Sequence, residues 1–160
     1  MLNEWTDFFV ASAGAAAALA GLIIVAVSGD VDRVIAIPGI ASRAGVAIAV
    51  LVMSTLVALC ALIPRISALG YGSLVVFSGL VAALLAARSL ALLVRSRVGS
   101  LGEAVVKGAF GLLPALLAVV GGLLVMFDAG AGLGWVAAGI LLAVVFSVVS
   151  SWVILIEIRR

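Results

Sequence analysis

Apolar residues run along this chain in five long stretches, each broken by a short cluster of polar residues, glycine or proline. Stretches of about 20 apolar residues match the length a helix needs to cross ~30 Å of hydrocarbon. The pattern predicts spans over about 8–28, 44–63, 70–94, 109–127 and 135–156. The breaks carry recognisable turn chemistry. Gly29-Asp30 and Pro38-Gly39 interrupt the first connection and Pro64 ends the second span. Gly99 to Gly102 loosen the third connection, and GAGLG at 130–134 makes the fourth. The expected fold is an all-α polytopic membrane bundle, with residues 1–160 forming one transmembrane domain.

Composition supports that class. The chain is 67% hydrophobic and 10% charged, and its mean hydropathy is +1.51. Soluble domains are nearer 45–50% apolar and about 25% charged. Arginine greatly outnumbers lysine, and Ala, Gly and Val are abundant, a bias that points to a GC-rich bacterial genome and hence the cytoplasmic membrane. The opening MLNEWTDFF holds acids and no basic residue. It lacks the positive region of a secretory signal, so the first span is expected to stay in the mature protein.

Charge orients the spans. Positive residues favour the cytoplasmic side. An outside N-terminus puts Arg33, Arg43, Arg95, Arg97, Lys107, Arg159 and Arg160 on one face. Arg65 alone then falls opposite, with Glu4, Asp7 and Asp128. The expectation is N-terminus out and C-terminus in; a four-span arrangement would scatter these charges. Trp5, Phe8, Phe9, Tyr71 and Trp135 then lie near the outer interface, where amphipathic rings act as anchors, and Trp152 near the inner one. In the first loop Val31, Val34, Ile35 and Ile37 are expected to form a short amphipathic turn along the inner surface, started by Asp30 or Asp32 as a cap.

The first span, with ASAGAAAALAG at 11–21, has almost no side-chain bulk. In lipid, helices associate through close backbone approach at Gly, Ala and Ser rather than through apolar bulk. A heptad walk touches Asp7, Gly14, Gly21 and Ser28, with Ala11, Ala18 and Val25 interleaved. This thin seam predicts contact with other helices, at the bundle centre or at a subunit interface. Similar seams run through Gly108, Gly111, Ala115, Ala118 and Gly122, and through Gly139, Ala143, Ser147 and Ser150. Pro114 removes a backbone donor inside a span and predicts a kink, with a hinge as its functional reading.

Candidate chemistry is sparse. The sequence has no histidine, a single cysteine, Cys60, and no phosphate-binding glycine motif. No catalytic, cofactor-binding or metal-ligating residue emerges, no cofactor is implied, and nothing points to nucleic acid. Serines such as Ser54, Ser78 and Ser147 are expected to bond back to their own helices. Arg88 is the one ionisable residue set inside a span. It is read as snorkelling to the inner interface or pairing with Glu157.

The opener WTDFF, the small-residue helix ending in IIVAVS, and IPGIASR together resemble a group of short polytopic bacterial membrane proteins without an established activity. The likeness covers roughly residues 5–43 and implies a bacterial membrane location, with no functional residue carried over.

Three roles fit these features. One is a non-enzymatic homo-oligomer with channel or pore activity for small ions, its seam from Asp7 to Ser28 forming the interface or the lining. Another is an accessory or scaffold subunit packing against a larger membrane complex. The third is a lipid-binding protein in which Arg95, Arg97 and Lys107 face anionic headgroups. The expected partners are the bilayer, copies of the chain, anionic lipid and such a complex.

Overall fold

The structure, a computed structural model, describes residues 2–29, 31–36, 40–95, 101–128 and 130–159. Within that set, the side chains of Asn3, Asp32, Arg33, Ile35, Leu93, Arg95, residues 101–109, Leu155 and residues 157–159 are outside the description. A 3-10 turn, Leu2–Trp5, leads into α1, Thr6–Ser28; α2, Val31–Ala36, is short. The long helices α3, Ile40–Ala61, α4, Ala68–Arg95, α5, Leu101–Met126, and α6, Gly132–Arg159, complete the described chain. Four helices, α1, α3, α4 and α6, are long and apolar enough to cross a membrane, and α5 contributes a shorter apolar segment, Phe110–Met126. This is the architecture of a multi-pass membrane protein.

Local chemistry sets the ends. The residue before a proline is pushed out of the helical region, and α3 accordingly stops at Ala61, short of the expected 63. Its last turn tightens through Leu62 N–H to Leu59 O, 3.1 Å, and Ile63 N–H to Cys60 O, 3.2 Å. A turn closed by Ile66 N–H on Ile63 O, 3.3 Å, follows. Arg65 sits inside it at φ 59°. Ser67 Oγ then accepts from Gly70 N–H at 3.0 Å, a side-chain cap for α4. At the end of α5, Asp128 takes φ 55° and its N–H bonds Val125 O at 3.1 Å. That left-handed residue is a familiar way to stop a helix.

Two glycine-marked boundaries fall elsewhere than expected. Gly102 lies inside α5, and α6 begins at Gly132 rather than after Gly134. The second shift has a packing cause. A Cβ on Gly132 would stand 2.7 Å from Val125 N, so α6 starts where α5 is near enough to require glycine.

α3 packs against α1, α4 and α6, and α5 lies between α4 and α6. The most extensive contact joins α4 to α5. A Cβ on Gly72 would stand 2.7 Å from Gly122 O, and one on Gly122 would stand 2.9 Å from Gly72 O. Gly79 lies seven residues further on, against Ala115 and Val119. The α5–α6 seam uses Gly121, Gly132 and Gly139 on α6-facing and α5-facing sides in turn. In the expected small-residue seams, Gly111, Ala115 and Gly122, and Gly139, Ala143, Ser147 and Ser150, are buried, while Ala118 is half-buried. Gly108 lies outside the described side-chain surroundings.

Ser54 Oγ bonds back to Val50 O at 2.9 Å. Ser147 does not follow that expectation. Its hydroxyl crosses to Ala47 O at 3.2 Å, because the small residues of α3 and α6 bring that carbonyl within reach. The short helix α2 appears in the first loop, with Val34 buried beside Ile40, Ala44 and Ile154. Asp30, the Asp32 side chain and Ile37 are outside the described residues.

Candidate functional site

The expected seam on α1 can now be placed. Phe9, Ala13, Ala16, Ala20 and Ile23 turn inward. Asp7, Gly14, Ala18, Gly21 and Ser28 turn outward and are exposed. Within the single chain this face does not line the bundle centre: α1 lies at the edge, with the smallest buried share of the four spanning helices, 28%. A Cβ on Gly14 or Gly21 would meet nothing within 4 Å. Gly45 and Gly134 are open as well. Among the described residues only α1 repeats an open glycine at heptad spacing, with Ala18 between. Asp7 stands at one end of this face; at the other, the Ser28 hydroxyl donates to Ile24 O at 2.7 Å.

A cavity of about 30 Å³ lies between Ser54, Ser78, Gly79, Pro114 and Gly139. That is room for a water or so, not a passage. Pro114 is buried within α5, and its carbonyl is 3.1 Å from where a Gly139 Cβ would be. The proline turn thus fits into a notch that glycine leaves on α6.

At the end carrying the N-terminus, aromatic residues form a chain of contacts. Trp5 and Phe8 meet edge to face at 5.7 Å, Phe8 and Phe9 at 5.6 Å, and Phe9 and Tyr71 at 6.3 Å. Phe9 and Tyr71 are fully buried. They are core residues rather than interface anchors, because the first turn of α4 points Tyr71 at α1. The Tyr71 hydroxyl has no hydrogen-bond partner. Trp135 is exposed and Trp152 more so.

Beside this cluster opens a cleft of about 360 Å³ that the sequence reading missed. Thr6, Arg65 and Asp128 line it together with apolar residues including Leu2, Ile66 and Leu133. No signal in the sequence marks it, because Pro64 is followed by Arg65 and not by the glycine that marks a type II turn.

Arg88 is exposed on α4. Its neighbour Ser89 is buried and hydrogen-bonded to Ser42 of α3. Arg97, and the side chains of the expected partner Glu157 and of Arg95 and Lys107, lie outside the description. Among the described residues no three metal-ligating side chains gather. Comparison with family models, curated proteins and solved structures returned no match.

Proposed function

We propose that this chain is a non-enzymatic, five-pass protein of the bacterial cytoplasmic membrane that self-associates through the exposed face of α1. The observation that carries the reading is the pair Gly14 and Gly21, where an added Cβ would meet nothing within 4 Å. Glycine costs a helix about 1 kcal/mol relative to alanine. The same chain uses the same spacing, Gly72 and Gly79, to admit a neighbouring helix. A second copy of α1 is the neighbour proposed for Gly14 and Gly21.

Five passes are supported by α5 packing antiparallel between α4 and α6. Gly122 meets Gly72 near one end of the bundle, and Gly111 meets Phe146 toward the other. The N-terminus, the α3–α4 turn and the α5–α6 turn then share one end, which carries Glu4, Asp7, Arg65 and Asp128. The remaining basic residues fall at the other end along the chain, the cytoplasmic one by the positive-inside rule. In a background with Cys60 replaced by alanine, a cysteine at Asn3 or Asp128 should be labelled from outside, and one at Ser100 only after permeabilisation. Labelling of Ser100 in intact cells would reverse the topology.

A pore is the second reading. The cavity between Ser54, Ser78 and Gly139, at about 30 Å³, is too small for a passage, so the conduit is placed between copies. Asp7, exposed at the end of the seam, would then form an acidic ring that concentrates cations. Reconstituted liposomes test it: cation flux above protein-free vesicles supports a channel, and a silent oligomer leaves the scaffold role.

A further inference from the structure

The cleft beside the N-terminus combines features that none of the roles above uses. Its volume of about 360 Å³ falls within the ~300–1,000 Å³ range of ligand pockets. Its walls are mostly apolar, yet two oppositely charged residues, Arg65 and Asp128, line it from two different turns. Among the described residues no ion pair joins them. Both residues hold positive φ, 59° and 55°. Asp tolerates that conformation; for Arg it is a strain that glycine would relieve. The fold thus keeps a long cationic side chain where the backbone favours none, at the mouth of a cleft whose other charge is negative. The cleft adjoins the turns that join membrane-spanning helices, where lipid headgroups lie.

We propose that this cleft binds a zwitterion bearing an anionic and an ammonium group, the chemistry of a phosphoethanolamine headgroup, with Arg65 holding the phosphate and Asp128 the ammonium. The guanidinium offers several N–H donors in a planar fork suited to phosphate. A carboxylate accepts hydrogen bonds from a primary ammonium. The apolar walls at Leu2, Ile66 and Leu133 meet the glycerol and the first acyl carbons. A purely anionic lipid would satisfy Arg65 and place its charge against Asp128, so the pair discriminates by charge pattern. The inference rests on the multi-pass architecture, and on neither the orientation nor the self-association of α1.

The test uses the full chain in nanodiscs of equal parts phosphatidylethanolamine and phosphatidylglycerol, with lipid retained on release read by native mass spectrometry. Phosphatidylethanolamine should be retained in preference. Arg65→Gly and Asp128→Asn should each lower that preference about fivefold, the effect of one interfacial charge worth ~1 kcal/mol. Arg65→Gly separates binding from folding, because it should raise the unfolding midpoint, by about 2–4 °C, while weakening retention. Glycerophosphoethanolamine added at millimolar concentration identifies the source. Displacement from the wild-type cleft assigns it to a free zwitterion, and persistence assigns it to the lipid. Equal retention of the two lipids by the wild type, or a preference unchanged in both variants, would overturn the proposal.

Discussion

Two faces of this molecule carry glycines seven residues apart, and they end differently. On α4, Gly72 and Gly79 are closed over by α5, so tightly that a single added carbon would collide with its backbone or side chains. On α1, Gly14 and Gly21 face open space. The residue types and spacing are the same; the difference lies in whether the chain supplies a partner. In lipid a glycine is useful only where another backbone comes close. The comparison therefore separates glycines that build the fold from glycines the fold leaves for something else.

Substitutions can break that distinction. The largest effect is expected at the closed face. Gly72→Leu puts a side chain where Gly122 O would be 2.7 Å from its Cβ. It should destabilise the bundle by about 3 kcal/mol or more, the upper end of overpacking costs, measured by denaturant titration in detergent. A loss below ~0.5 kcal/mol would mean that α4 and α5 are not this close. Tyr71→Phe should act in the opposite direction. It deletes a buried hydroxyl without a partner, and relief of that desolvation is expected to stabilise by about 1 kcal/mol. Destabilisation by that variant would reveal a bond to the hydroxyl. Arg88→Leu should change stability by less than ~0.5 kcal/mol, since Arg88 is exposed. A larger cost, with coupling to Glu157→Gln in a double-mutant cycle, would instead establish the ion pair. The smallest structural effect belongs to Asp7→Asn, which should leave stability unaltered. If copies conduct, it should lower cation current at low salt more than at high salt, as screening shortens the reach of the ring.

The helical elements were legible because apolar length and turn residues determine them directly. Thr6–Ser28, Ile40–Ala61, Ala68–Arg95 and Gly132–Arg159 each overlap an expected span. Individual glycines were less legible. Gly132 looked like part of a loop and proved to be a contact point at the start of α6. A single chain's pattern of small residues shows that close approach is wanted, but not which helix comes close. That is why the α1 seam was readable, while its position at the edge of the bundle was not. Their place in the sequence predicts interface rings for Tyr71 and Phe9. Their burial depends on the rotation of α1 and α4 about their axes, which chain position does not encode. The cleft between Arg65 and Asp128 joins residues 63 positions apart on two turns. Only the folded arrangement brings them to one place.

The central claim is that the open face of α1 awaits a second copy. Particle mass in nanodiscs, measured for wild type, Gly14→Leu and Gly21→Leu alongside the unfolding midpoint of each, tests it most directly. The wild type should contain more than one copy, and both variants should shift toward the monomer with midpoints nearly unchanged, because nothing within the chain lies where the new side chains go. A monomeric wild type, or variants that keep the wild-type mass, would contradict it.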